Sequence, residues 1–150
     1  MPAAVPPVAT EAIPQMASEL RTSVMRMRRR LANERHPDNP LSLGAMAVLA
    51  ALHKFDELTL GDLAARERVQ PPSMTRTVNY LEEAGFVTRR PGDSDRRQVL
   101  VSITEKGRAT VEADRVSRDA WLSQRLAELS PEELEIVRQA APIIDRIATT

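Results

Sequence analysis

The hydrophobic and polar residues repeat with two different periods along the chain, and each period indicates a different kind of element. Apolar side chains three or four positions apart are typical of amphipathic helices, and they occur in four successive stretches: residues 16–35, 42–55, 59–67 and 71–84. Residues 86–90 and 98–104 instead alternate apolar and polar side chains. That alternation is the period of a half-buried strand. The pattern therefore predicts four helices followed by a two-stranded hairpin.

Two further helices are predicted after the hairpin. Thr104 is a suitable N-cap for a long helix ending near Leu129, and Ser130-Pro131-Glu132-Glu133 combines three helix-start signals. The last helix carries more apolar surface than a single core helix needs, so we expect it to pack against a second subunit. Together with the first helix, it supplies the residues expected at a dimer interface: Leu20, Val24, Leu134, Val137, Ala141, Ile144 and Ile147.

The signals between residues 59 and 104 predict a winged helix-turn-helix. Thr59 and Asp62 have capping-box spacing, which indicates a helix start, and Pro71 and Pro72 stand where the first turn of the next helix tolerates proline. Gly85 suits the left-handed position that ends this second helix. The hairpin then follows as the wing. The fold class predicted is mainly α, an α+β winged helix-turn-helix with about six helices and a two-stranded wing hairpin.

The second helix of this unit has a side suited to DNA. Its apolar residues are expected to face the core: Met74, Val78 and Leu81. The opposite side is small or polar, as base contacts require, and carries Ser73, Thr75, Arg76 and Asn79, with Pro71 and Pro72 expected near the sugar-phosphate backbone. Arg76 is the main candidate for a base contact because a guanidinium can donate two hydrogen bonds to guanine. The alternative is that these are ordinary exposed helix residues.

The hairpin loop is rich in turn-forming residues and ends in two arginines. Residues 91–97 are too polar for a core, and Arg96 and Arg97 suit a minor groove or a phosphate backbone. Of the two, Arg96 is the favoured groove contact. At the base of the hairpin, Arg89 and Arg90 are expected to touch phosphate. The alternative here is a solvated hairpin tip with no partner.

These motifs together resemble a known family. The segments LTLGDLAARERV, PPSMTRTVNYLEEAGFVTRR and DSDRRQVLVSITEKG, within residues 58–107, are similar to the MarR family of bacterial transcriptional regulators. The resemblance implies a largely helical dimer whose paired helices enter successive major grooves while wing arginines reach the adjacent minor grooves. It also implies that Asp95 or Asp93 holds a wing arginine in position. More weakly, it implies a ligand that releases DNA, for which no pocket residue is identifiable.

Composition limits the chemistry available. There is no cysteine, which excludes disulfides and thiol-based redox sensing. His36 and His53 are the only histidines and stand in no ligand-spaced cluster, so no metal site is predicted. No catalytic motif occurs and acidic residues on helices are interpreted as surface charge, so the chain is not expected to be an enzyme or to hold a cofactor.

Charge is balanced overall but segregated along the chain. Positive and negative side chains number 21 each, yet residues 19–35 hold six arginines against two glutamates. Residues 112–146 hold five arginines against eight acids. Such runs are typical of solvated helix faces as well as of nucleic-acid-binding surfaces, and the charge pattern alone does not separate the two.

The sequence therefore predicts a flexible N-terminal arm over residues 1–15 and a single domain over residues 16–150. Within it, residues 16–36 and 105–150 are expected to dimerise, and residues 42–104 to bind DNA. The arm resembles neither a signal peptide nor a membrane span. We expect a bacterial cytoplasmic protein, nucleoid-associated when bound.

The function expected is a homodimeric repressor of transcription. Its partner would be double-stranded DNA with pseudo-palindromic half-sites about one turn, ~10 bp, apart. A small aromatic or lipophilic effector would release it. Two alternatives remain from the sequence: a winged helix that binds another protein, and a metal-responsive winged-helix repressor.

Overall fold

A computed structural model describes residues 12–150, and the chain divides into two compact units, Met1–Glu34 and Arg35–Thr150. The described part of the first unit is mainly helix α1, Ile13–Asn33. This helix begins at Ile13 rather than at the predicted Met16, because Pro14 fits its first turn. The rest of the arm predicted for residues 1–15 lies outside the described residues, except that Ala12 is the N-cap.

The second unit confirms the predicted fold class. Its elements are α2 (Leu43–Phe55), β1 (Glu57–Thr59), α3 (Leu60–Glu67), α4 (Pro71–Glu83), β2 (Val87–Pro91), β3 (Val99–Ile103), α5 (Glu105–Leu126) and α6 (Pro131–Thr149). The antiparallel sheet has the order β1-β3-β2. It thus contains one strand more than the predicted hairpin, since Glu57 to Thr59, for which the sequence predicted no strand, pair with β3.

The core of this unit lies where α2, α3, α4 and the sheet meet. The apolar face predicted for α2 is buried throughout, at Ala45, Val48, Leu49 and Leu52, as is the inner face of α4, at Met74, Val78 and Leu81. Leu63 of α3 and Val101 of β3 belong to the same core. With its inner face buried in this way, α4 presents its polar side outwards.

Local capping fixes where these helices begin and end. Ser42 and the predicted N-caps Thr59, Thr104 and Ser130 each accept a backbone hydrogen bond from their own helix. Gly85 has a φ of 81°, and the amides of Gly85 and Phe86 donate to the Glu82 and Leu81 carbonyl oxygens. This pair of bonds closes the C-terminus of α4 and turns the chain into β2.

A buried acid joins α5 to the segment that precedes α2. Asp114 is fully buried, and its carboxylate accepts hydrogen bonds from the His36 amide at 3.0 Å and from Asn39 Nδ2 at 2.8 Å. Arg35 Nε lies 3.7 Å from the same carboxylate. The interpretation of helical acids as surface charge was therefore wrong for Asp114. Arg118, four positions later in α5, also lies 3.8 Å from the carboxylate through Nη2. No local pattern marks the contacts with His36 and Asn39, because these partners lie 78 and 75 positions earlier in the chain.

The last helix exposes a wide apolar surface. Every residue of α6 is at least partly exposed, including its apolar positions Leu134, Ile136, Val137, Ile143, Ile144 and Ile147. In α1 the two residues predicted for a dimer interface, Leu20 and Val24, are also exposed. These positions are not covered within the described part of this single chain.

Candidate nucleic-acid interface

The outward side of α4 carries the four residues predicted to contact bases. Thr75 and Arg76 are exposed and Ser73 and Asn79 are half-buried, so all four side chains remain accessible. Arg76 Nη2 donates to Ser73 Oγ at 3.3 Å, a long and weak contact. The guanidinium can therefore leave it for a stronger acceptor.

The start of α4 combines two prolines with an uncapped N-terminus. Pro71 and Pro72 are exposed, and Gln70 makes no side-chain cap. The amides of Ser73 and Met74 already donate to the Gln70 carbonyl oxygen. An anion placed here would meet the positive end of the helix dipole, whereas the prolines offer it no N–H donor.

The wing ends in an exposed arginine pair. The turn is closed by the Gly92 amide donating to the Gln98 carbonyl oxygen at 2.9 Å, and a Cβ at Gly92 would lie 2.5 Å from the Asp95 carbonyl oxygen. Asp95 Oδ1 accepts from Arg97 Nε at 3.3 Å. Arg96 is exposed and has no ion pair with any side chain in the described range, residues 12–150. Arg96 is thus the wing cation whose charge is least neutralised locally.

Arg90 braces the base of the wing. Its guanidinium donates to Glu57 Oε1 at 2.8 Å and to Asp93 Oδ1 at 2.8 Å, and Ser102 Oγ also donates to Glu57. These bonds hold the pKa of the Glu57 carboxyl below its usual value, with Arg90 the largest cause and Ser102 the next. Arg90 likewise lowers the pKa of the Asp93 carboxyl.

Because Arg90 is neutralised by two carboxylates, its geometry favours a bracing role over the predicted phosphate contact. Reciprocally, the pKa of Arg90 is raised further, first by Asp93 and then by Glu57. The guanidinium of Arg89 also donates to side chains of α4, namely Glu82 and Asn79. Neither Glu57 nor Glu82 was predicted as part of the site. Glu57 and Arg90 carry opposite charges, but their pairing could have been predicted only if strand β1 had been recognised.

A cavity of about 440 Å³ is lined mainly by α5 and by residues 36–40, the segment that precedes α2. Its lining includes His36, Asn39, Phe86, Lys106 and Thr110. Lys106 Nζ lies 4.4 Å from the centre of the Phe86 ring and donates to the Ala84 carbonyl oxygen at 2.6 Å. The cavity therefore combines the ammonium group of Lys106 with the carboxylate of Asp38 and a largely buried aromatic ring, Phe86.

Among residues 12–150, no group of three or more His, Asp or Glu side chains is placed to hold a metal ion. Over the same residues, none of the helices has the length and apolar character needed to span a bilayer.

Comparison with known proteins gives consistent results. Residues 41–99 match the model of the MarR family. An HTH-type transcriptional regulator of Mycobacterium bovis is 45% identical over 130 residues, which cover 87% of this chain and 90% of the relative. A transcriptional regulator of Pseudomonas aeruginosa, known from a crystal structure, is similar with a TM-score of 0.82 and 28% identity, covering 94% of this chain and 98% of its own.

A third comparison concerns the fold alone. FabT of Streptococcus pneumoniae, solved in complex with DNA, has a TM-score of 0.63 and 21% identity, with 90% of this chain and 96% of that chain covered. Three mycobacterial relatives, at 44–45% identity over 130 residues, are named as regulators of transcription rather than as enzymes.

Proposed function

This chain belongs to the MarR family of transcriptional regulators, and we propose that it is a homodimeric repressor that binds a pseudo-palindromic DNA operator. The observation that carries the proposal is the accessibility of the polar side of α4 beside a wing that ends in an unneutralised arginine. Arg76 would contact base edges in the major groove while Arg96 enters the adjacent minor groove. The half-buried Ser73 and Asn79, with Thr75, would complete the contacts to bases.

The remaining predicted residues would position the protein on the duplex. Pro71 and Pro72 would lie against the sugar-phosphate backbone, and Arg97, held by Asp95, would reach a phosphate. Arg89 and Arg90 would support the wing, because their charges are paired with acidic side chains: Glu82 for Arg89, and Glu57 and Asp93 for Arg90. Phosphate contacts fix the register and supply salt-dependent affinity, whereas the base contacts supply specificity.

The exposed apolar face of α6 supports the proposed dimer. A water-exposed stripe of isoleucine, leucine and valine is unfavourable for a monomer, and its burial against a second copy would stabilise both. A two-fold dimer would place two α4 helices about one helical turn apart on DNA. By occupying a promoter in this way, the protein would block transcription in the cytoplasm and be nucleoid-associated while bound.

Selection of duplexes from a random pool tests the proposal. We expect enrichment of a two-fold symmetric sequence with half-sites ~10 bp apart. The double substitution Arg76→Ala with Arg96→Ala should abolish the enrichment, whereas the control Arg115→Ala, an exposed arginine on α5, should retain it. Failure of the wild-type chain to enrich any sequence would contradict the proposal and favour a winged helix that binds another protein.

We further propose that the cavity lined by α5 and residues 36–40 receives a small aromatic acid as effector. Its volume of about 440 Å³ falls within the range of small-molecule sites. Lys106 would pair with the carboxylate of the acid, and the small apolar side chains of the lining, Ala109 and Ala113, would contact its aromatic group. Because the same lysine donates to the Ala84 carbonyl oxygen at the end of α4, the effector would compete for a contact that positions this helix.

A titration of the DNA complex with small aromatic acids tests the effector proposal. Release of the duplex at micromolar to millimolar acid, weakened by Lys106→Met, would support it. A matched neutral amide of the same acid should act more weakly, because it lacks the carboxylate. Equal release from the wild type and from Lys106→Met would contradict the assignment of this cavity. Insensitivity of DNA binding to a chelator would exclude the metal-responsive alternative.

A further inference from the structure

An arginine from the wing holds one of the residues on the outer side of α4. Arg89, in β2, donates from Nη1 to Oδ1 of Asn79 at 2.7 Å. The same guanidinium contacts Glu82 Oε2 through Nε at 2.6 Å and through Nη2 at 2.5 Å. Asn79 and Glu82 are neighbours on one face of α4, three positions apart. The three side chains therefore form one connected network between α4 and the wing.

This network fixes which way the Asn79 amide points. A guanidinium has only donors, so the amide atom that faces it is the carbonyl oxygen. A free asparagine rotates about its last torsion and can present its oxygen and its NH₂ group side by side. Here the oxygen is turned towards Arg89, and the contacts with Glu82 hold the arginine itself in place. The NH₂ group of Asn79 is left to contact a ligand.

We propose that Arg89 is a positioning residue for base recognition, which makes Asn79 a hydrogen-bond donor towards the major groove. The inference rests on the DNA-binding function proposed above. An asparagine that presents both oxygen and NH₂ prefers adenine, whose edge offers an acceptor and a donor. One that presents only NH₂ prefers guanine, whose N7 and O6 atoms are both acceptors. The network thus shifts the base preference at this position from adenine to guanine.

The proposal differs from the phosphate contact predicted for Arg89 from the sequence. A phosphate contact would strengthen binding to every duplex alike and would contribute about one unit to the salt slope of log affinity. A positioning role would change the ratio of affinities for two duplexes that differ at one base pair. The ratio of affinities for two duplexes and a uniform loss of affinity for all duplexes are measured separately, so the two roles can be distinguished.

The test is a double-mutant cycle on duplexes taken from the random-pool selection. Affinities of the full chain are measured by fluorescence anisotropy for the selected duplex and for versions with each base pair replaced in turn. The proteins are wild type, Arg89→Met, Asn79→Ala and the double variant. Arg108→Met is the matched control, since Arg108 also pairs with an acid of another element, Asp56, at 2.6 Å, and lies on α5 rather than beside the outer face of α4.

We expect the wild type to prefer guanine over adenine at one base pair of each half-site by about fivefold to tenfold. Arg89→Met should reduce this ratio to about one or reverse it, and Asn79→Ala should remove it. In the Asn79→Ala background, Arg89→Met should change the ratio no further, because Arg89 acts through Asn79. Arg108→Met should leave the ratio unchanged. Circular dichroism melting shows whether each variant is folded under the assay conditions.

Other outcomes overturn the proposal. If Arg89→Met weakens all duplexes by one factor and leaves every ratio unchanged, Arg89 is a phosphate contact and this inference fails while the proposed function stands. A wild-type preference for adenine at the position sensitive to Asn79→Ala would also contradict it. Binding of no duplex by the wild type would overturn both the inference and the proposed function.

Discussion

Asp114 accepts a hydrogen bond from the backbone amide of His36, 78 positions earlier in the chain, across a distance of 3.0 Å. The acid is fully buried in α5, while His36 belongs to the segment that leads into α2. Asn39 Nδ2 donates to the second carboxylate oxygen at 2.8 Å. Arg35 Nη2 donates to the Leu41 carbonyl oxygen and so lies beside the same segment. The buried carboxylate of Asp114 thus joins α5 to the segment that leads into α2, a helix that supplies much of the core.

Asp114→Ala should lower the free energy of unfolding by about 3 kcal/mol, because it leaves the amides of His36 and Asn39 and the charge of Arg35 without their acceptor. Asp114→Asn keeps an acceptor of the same shape and should lower it by about 1–2 kcal/mol. Urea unfolding followed by circular dichroism at one fixed protein concentration measures both values. A loss below about 0.5 kcal/mol for Asp114→Ala would mean that the contact is not important for stability.

Elements defined by local signals were predictable. The four N-caps and the glycine that ends α4 act within a few residues of themselves, so their sequence neighbours reveal them. The buried faces of α2 and α4 follow from periodicity alone. Once the buried face of α4 is known, its opposite side, which carries Arg76, is predicted to be exposed.

Contacts between distant parts of the chain were not predictable. Glu57 lies 33 positions before Arg90, and β1 spans only three residues, too few for a strand period. The pairing of Arg89 with Asn79 and Glu82 depends on how β2 packs beside α4. Each arginine was correctly located in the wing, but its partner comes from another element. Sequence alone therefore located these side chains and left open which of them are neutralised.

Arg76 and Arg96 should differ in how their removal affects DNA binding. Arg96→Ala should weaken all duplexes by a similar factor and reduce the salt slope by about one, because its expected contact is electrostatic. Arg76→Ala should relax discrimination at one base pair, by ~1–3 kcal/mol, because a guanidinium pairs with guanine through two hydrogen bonds. Anisotropy titrations over a series of substituted duplexes at three salt concentrations separate the two effects. Equal losses at every duplex for both variants would contradict the assignment.

The wing should loosen in acid. Since the pKa of the Glu57 carboxyl is held below its ordinary value of 4.5 by Arg90, its ionised form favours the folded wing. This contribution is complete above pH 4.5 and is lost as the pH falls through the lowered pKa of the folded state. Arg90 also holds the pKa of the Asp93 carboxyl below its ordinary value of 3.8, so the contribution of ionised Asp93 is likewise lost as the pH falls through its lowered pKa.

Glu57→Gln should therefore make stability less dependent on pH below 4.5 than in the wild type. Side-chain carboxyl carbon shifts followed by NMR report the two pKa values directly. Glu112→Gln is a control, since Glu112 lies in α5 and pairs with His53 and Arg115 rather than with a residue of the wing. Titration of Glu57 at or above 4.5 would show that the Arg90 pair is not formed in solution.

The apolar face of α6 should be required for dimerisation. Val137 and Ile144 lie two turns apart on one stripe, and both are about 40% exposed in the single chain, at 41% and 38%. Replacing both with glutamate places four negative charges, two from each copy, in the proposed interface, where burial of unpaired charge is strongly unfavourable. The double variant should sediment as a monomer at concentrations where the wild type is a dimer.

Leu43→Glu is the matched control for that experiment. Leu43 is an exposed apolar residue in the first turn of α2, where a carboxylate is favourable to the helix dipole. It should remain dimeric and bind DNA normally. The α6 double variant should lose most operator affinity even though α4 and the wing are unchanged, because a single half-site supplies only part of the contacts. Removal of the chain after Ser130 should have the same consequence. A dimer that persists in both the double variant and the truncated chain would place the interface elsewhere.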